Sequence, residues 1–337
     1  MGKKLTRFIL IVCLLSLMIF TVPAAAAEPR PVIIDTDMTT DDFMAILYVF
    51  NNPDFAVKAI TVTGTGWSYC DAGVETALGL VALAGYADIP VSCWKDTPLK
   101  GGENPVPAEF RTSLQSIKVF NLPAGGKPAE IDAVALFTST VEAAADKIEV
   151  LALGPLTNIA QAFIKKPALV DKIERITIMG GAVDVPGSGV SATNNLAEWN
   201  IYCDPPAARI VFESGAPITL VALDASNDVP VTMDFLKQLE ADQKTPEAQF
   251  VFTALNNNSL DFIKSGYYFF WDPLAAAVLA DPSIVTLTER KLTVVDREGA
   301  DYGRTKAVGN GPIIMLATKP DGATFVQHLL DTWNAGA

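Results

Sequence analysis

An α/β fold, with an open and mostly parallel central sheet covered by helices on both faces, is predicted by three observations. Short apolar runs alternate with helical stretches, several runs end in acids or glycines that mark turns, and neither a linker nor an internal repeat divides the chain. Residues 31–35 form an apolar run that closes on Asp35, the pattern of a buried strand. Thr40 then opens a helix with an apolar face of Phe43, Ala45, Ile46, Leu47 and Phe50, and Asn51-Asn52-Pro53 stops it. Residues 57–63, 148–153, 175–179 and 218–223 read as further strands, and 72–84, 156–164 and 205–213 as helices. Two stretches break this rhythm. Residues 96–130, rich in Pro, Gly and Lys, form a long surface excursion, and residues 182–197, rich in Gly, Ser and Asn, a loop above the sheet. Open parallel sheets bind ligands beyond the carboxyl ends of their strands. Chemistry is therefore expected at 35–42, 64–67, 154–158 and from Gly180 onward.

The N-terminus carries Lys3, Lys4 and Arg7, then an apolar stretch, then small residues to Ala27. That order predicts a signal peptide cleaved after Ala27, a secreted or periplasmic protein, and one domain over residues 28–337 with no membrane span of its own. Cleavage moves the formal net charge from -13 to -16. A chain this acidic is not drawn to nucleic acid or anionic membranes by its overall field, but it concentrates divalent cations. Cys70, Cys93 and Cys203 remain, too few for a disulfide framework; one pair can close, and spacing does not say which.

The sharpest local feature is Asp35, Asp37, Asp41 and Asp42, four carboxylates within eight residues directly after a buried strand. Unpaired, they repel one another strongly. No Lys or Arg lies between Arg30 and Lys58, so the partner comes from elsewhere in the fold or is a metal ion. Carboxylate oxygens without nearby His or Cys suit calcium or magnesium and not zinc. The competing reading makes Asp41 and Asp42 helix N-terminal acids and Asp35 and Asp37 turn residues.

This segment resembles the DxDxxxDD signature of the inosine–uridine nucleoside hydrolases. Gly154-Pro-Leu-Thr-Asn158 is similar to that family's GPLTN turn, and Met179-Gly-Gly181 to its MGG segment. Ala197-Glu-Trp-Asn200 with Asp204-Pro205 resembles its AE[FW]N…DP stretch, and Asp272-Pro273 its late DP. The resemblance covers nearly the whole mature chain and implies a Rossmann-like fold that hydrolyses the N-glycosidic bond of ribonucleosides to ribose and free base. It implies Ca2+ held by Asp37, Asp42, Asp272 and the Leu153 carbonyl, with Asp35 steadying the cluster and Asp37 as the base that deprotonates water. Asp41, Thr65, Met179, Asn195, Glu198 and Asn200 would hold the ribose. A homodimer or homotetramer is implied as well.

Three positions depart from the family pattern. Trp271 stands where a His usually precedes the late DP, and that His is commonly assigned to protonating the leaving base. An indole stacks on a base but donates no proton as a general acid. Tyr267, Tyr268 and Cys70 are the other donors to consider; His328, in a C-terminal helix, is an ordinary His. Gly64-Thr65-Gly66 replaces a Gly-Asn turn, and the ribose-contacting Asn before Glu198 corresponds to Ser188, Asn194 or Asn195, of which Asn195 is the choice. Two rival functions remain. One is a secreted nucleoside- or ribosyl-binding protein without turnover. The other is a haloacid-dehalogenase-type phosphatase, because Asp35-Thr-Asp37-Met-Thr39 also fits the start of that motif.

Overall fold

The computed structural model describes residues 28–86, 88–113 and 121–335; the signal-peptide reading falls on residues 1–27, outside them. Among the described residues the strands are β1 (Arg30–Thr36), β2 (Phe55–Val62), β3 (Val91–Cys93), β4 (Ile148–Ala152), β5 (Ile173–Met179), β6 (Ile218–Val221), β7 (Thr286–Val294), β8 (Thr305–Ala307) and β9 (Ile313–Thr318). They make one sheet in the order β3-β2-β1-β4-β5-β6-β9-β7-β8. Every pair from β3 to β9 is parallel, while β7 runs antiparallel to β9 and β8.

Side-chain alternation along the central strands divides the core. Val32 and Ile34 of β1 and Leu151 of β4 enter one apolar layer, against the helices Thr40–Phe50, Cys70–Leu83, Trp271–Ala280 and Gly322–Ala335. Ile33 of β1 and Val150 and Ala152 of β4 enter the other, against Ala133–Ala143, Thr157–Lys165 and Pro205–Phe212. A strand covered on both faces cannot alternate with polar residues, which is why these runs read as continuously apolar.

From β1 the chain steps outward through β2 and β3, then returns to place β4 on the other side of β1. The strand order therefore reverses between β1 and β4. A crevice opens at such a point beyond the strand ends, and the residues that follow β1 and β4 are Asp37 and Leu153.

Three expectations need adjustment. The strand at 218–223 ends at Val221, because Leu223 starts the short helix Leu223–Ser226. The excursion at 96–130 carries a helix, Ala108–Ser113. The antiparallel edge of β7, β8 and β9 was not anticipated.

Candidate active site

The acid run is folded by its own threonines. Thr36 at the end of β1 donates its hydroxyl to Asp42 Oδ1, and the Met38 N–H donates back to Thr36 Oγ1 at 3.1 Å. Met38 takes a left-handed φ of 59°, which turns the chain sharply between Asp37 and the helix Thr40–Phe50. Thr39 caps that helix: its N–H and hydroxyl both donate to Asp42 Oδ2 at 2.8 Å, and the hydroxyl also reaches Asp41. The capping reading of Asp41 and Asp42 thus holds, and it is also what aims them. One carboxylate oxygen each from Asp41, Asp42 and Asp272 lies within 4.8 Å of the other two. Asp272 comes from the first turn of the helix Trp271–Ala280, and its Oδ1 is buried without a hydrogen-bond partner.

Asp37 stands beside this triad and is held by the turn after β2. The Trp67 N–H donates to Asp37 Oδ2 at 2.9 Å, while the Ser68 N–H and hydroxyl donate to the Asp37 carbonyl at 3.2 and 2.7 Å. Gly66 is forced by this approach, since a Cβ there would lie 2.0 Å from Asp37 Oδ2. Gly154 is packed similarly: its Cβ would lie 2.9 Å from the Asp37 Cβ.

Asp35 is fully buried, with Oδ2 accepting from the Thr61 hydroxyl at 2.6 Å and from Asn158 Nδ2 at 2.9 Å. Both donors hold Asp35 in a supporting position behind the cluster.

The third wall comes from the segment 197–203. Glu198 caps the helix Trp199–Cys203, accepting from the N–H groups of Asn200 at 2.8 Å and Ile201 at 3.2 Å, and from Gly181 at 2.9 Å. Asn200 Nδ2 donates to the carbonyls of Leu153 at 2.8 Å and Met179 at 3.3 Å. Both side chains are buried, so neither belongs to a solvated loop.

Electrostatically the cluster is unbalanced. Burial raises Asp37 and Asp272 well above the usual carboxylate range; the charge of Asp42 adds to the rise in both, as does that of Asp41. Burial, then Asp42, lifts Asp41 to about 7, and burial lifts Asp35 to about 7 against its hydrogen bonds. Glu198 is raised by burial too. Arg30 and Arg175 do not balance these acids: they pair with Glu149 of β4 at 2.9 and 3.2 Å near the amino-terminal ends of β1 and β5, away from the strands' carboxyl ends. Buried acids in contact, an oxygen-only donor set and an orphaned Asp272 Oδ1 fit a hard divalent cation.

Two of the expected ribose contacts do not point into the crevice. The Thr65 hydroxyl is fully buried between Thr63 Oγ1 at 3.0 Å and Thr157 Oγ1 at 2.8 Å, in a chain that ends on Asp204. Asn195 is exposed, whereas Asn194 is buried and ties the loop by donating to the Tyr302 carbonyl at 2.8 Å. The loop folds back on itself, with the Gly187 N–H on the Asn195 carbonyl at 2.6 Å. Cys70 is removed as a proton donor because it is bonded to Cys93. Tyr267 is 73 % exposed, and burial followed by the charge of Asp41 pushes the Tyr268 hydroxyl well above its ordinary range. Trp271 is half-buried, against Tyr268 at 5.2 Å and Phe269 at 5.7 Å between ring centroids. Sequence reasoning did not assign the holding of the acids to Thr36, Thr39, Thr61 and Trp67, although Thr36, Thr39 and Trp67 lie inside the stretches 35–42 and 64–67 where chemistry was expected.

Buried carboxylates gathered where the strand order of a parallel sheet reverses, with an oxygen-only donor set suited to a cation, fit a hydrolytic enzyme of the α/β class. The family model for inosine-uridine preferring nucleoside hydrolases matches residues 32–328, and the chain belongs to that family. It is 32% identical over 277 residues to the probable uridine nucleosidase 1 of Oryza sativa subsp. japonica, covering 81% of this chain and 83% of that one. It is 29% identical over 312 residues to the pyrimidine-specific ribonucleoside hydrolase RihA of Escherichia coli, covering 89% and 97%. The structure of a plant nucleoside hydrolase superposes with a TM-score of 0.82 at 29% identity, over 91% of this chain and 99% of that one. The activity is hydrolysis of the N-glycosidic bond of ribonucleosides.

Proposed function

We propose that this enzyme works outside the cytoplasm as one domain over residues 28–337, with Ca2+ among Asp37, Asp42, Asp272 and the Leu153 carbonyl, and with Asp37 as the general base. The observation that carries the proposal is the gathering of half-buried Asp41 with buried Asp42 and Asp272, one oxygen of each within 4.8 Å of the others, with Asp42 and Asp41 also acting on buried Asp37 beside them. Calcium held there would supply positive charge that lowers the pKa of water. The chain does the rest. Asp41, Glu198 and Asn200 hold ribose hydroxyls and set the anomeric carbon beside Asp37. Asp37, anchored through Oδ2 by the Trp67 N–H, takes the proton of the attacking water. As the new C–O bond forms and the C–N bond breaks, positive charge develops on the sugar, and the surrounding carboxylates stabilise it. Electrons pass to the base, which stacks on Trp271 and takes its proton from solvent, since no His stands there. The Cys70–Cys93 disulfide supports an oxidising compartment.

A panel of purine and pyrimidine ribonucleosides, started from uridine and assayed for ribose release, tests this reading. Asp37→Asn is expected to lower kcat by roughly 10²–10⁴, the usual worth of a general base. Unchanged turnover in that variant removes Asp37 from the reaction. Nucleoside binding without turnover in calcium-replete wild type marks a binding protein instead.

A further inference from the structure

We propose that the Cys70–Cys93 disulfide and Arg111 form a clasp that positions Asp37 through the turn 64–69, an inference resting on the reading of Asp37 as the base. The turn has two sides. Its inner side holds Asp37 through the Trp67 N–H, the Ser68 N–H and the Ser68 hydroxyl. Its outer side is gripped by residues 93–111. The Arg111 side chain, buried, donates to the carbonyls of Gly64 and Ser68, the latter at 3.0 Å, and lies 3.9 Å from the ring centre of Tyr69. Asn104 Nδ2 donates to the Thr65 carbonyl at 2.7 Å. Asp96 accepts from the Cys70 N–H at 2.7 Å and lies 3.5 Å from Arg111.

The gripping segment starts from β3, an edge strand paired with β2 over three residues only. So short an edge is a weak root for a structure that must hold a turn still. Cys93 is the last residue of β3 and Cys70 the first of the helix Cys70–Leu83, so the disulfide joins the root of the clasp to the end of the turn. The Gly66 contact shows how little slack exists: a single added carbon there would overlap Asp37 Oδ2. Movement of the turn is therefore movement of Asp37.

The test compares wild-type enzyme, oxidised and after reduction by a dithiol, by amide exchange and by ribose release from uridine. Reduction puts two electrons into the S–S bond, each sulfur takes a proton, and the reductant leaves as its own cyclic disulfide. We expect exchange at the amides of Trp67 and Ser68 to rise roughly tenfold or more, with β1 and β4 unchanged. We expect kcat to fall roughly fivefold or more with KM within about twofold, and reoxidation to restore both. Arg111→Ala reproduces the kcat loss in the oxidised enzyme, and Arg111→Lys recovers part of it. Unchanged exchange at Trp67 and unchanged kcat after complete reduction overturn the proposal. Faster exchange across the whole sheet also overturns it, because the disulfide is then a general stabiliser. An oxidised enzyme without turnover whose turn still loosens on reduction supports the clasp and strikes the assignment of Asp37 alone.

Discussion

Asp37 is fixed from two directions, by its place just past β1 and by the Trp67 N–H that reaches it from the turn after β2. Gly66→Ala tests the second restraint. The added methyl must displace Asp37, and a shift of about 1 Å in a reacting group costs roughly a hundredfold. We expect kcat to fall by about that factor, while calorimetry still shows cooperative unfolding. Trp271 is the residue at which this chain differs most from its family pattern. If it acts by stacking, Trp271→Phe retains most of the affinity and Trp271→Ala loses about 0.5–1.5 kcal/mol, a rise in KM of roughly two- to tenfold with kcat little changed. A kcat loss as large as that of Asp37→Asn contradicts stacking and makes Trp271 part of the bond-breaking step.

At the scale of elements, the site is assembled by strand ends that need no contact with substrate to do their work. Asn158, in the first turn of the helix Thr157–Lys165, donates to Asp35 Oδ2 at 2.9 Å and to the Val62 carbonyl at 3.0 Å, tying that helix to β1 and β2. Asn158→Leu leaves a buried carboxylate short of a donor. We expect a loss of about 1–3 kcal/mol, read from the urea midpoint, with a smaller effect on KM. The acids at the end of β1 and the GPLTN turn after β4 were legible in the sequence because each follows directly on a buried apolar strand. Glu198 and Asn200 were legible through the AEWN match alone. Thr65 and Asn195 misled for one reason: whether a hydroxyl or amide faces the crevice depends on partners remote in sequence, Thr157 for the first and the fold of its own loop for the second. The pairing of Cys70 with Cys93 was equally hidden, because it depends on β3 lying beside β2. The antiparallel edge escaped notice because β7 is largely exposed and lacks the apolar run of a central strand.

For the whole molecule, the buried acids tie stability to both pH and calcium. Asp35 and Asp41 have folded-state values of about 7 against an ordinary 3.8, so each binds a proton more tightly when the chain is folded. Their stabilising contribution in the cation-free protein is present below pH ~4 and is lost as pH rises from about 4 to about 7. Asp37 and Asp272 are raised in the same direction, and a cation held by Asp37, Asp42 and Asp272 displaces the protons those two carboxyls bind, which offsets the loss. We therefore expect the calcium-induced rise in Tm to be larger at pH 7.5 than at pH 5, by roughly a few degrees. An equal shift at both pH values contradicts the assignment of the cation to these carboxylates.

The most direct test of the central claim is a calcium titration of chelator-treated protein, with ribose release from uridine followed at each step. Activity is expected to be absent in chelator, to return as about one ion binds per chain, and to require at least roughly tenfold more calcium in Asp272→Asn. Full turnover in excess chelator, or an Asp272→Asn titration superimposable on wild type, contradicts the reading of these acids as a cation site.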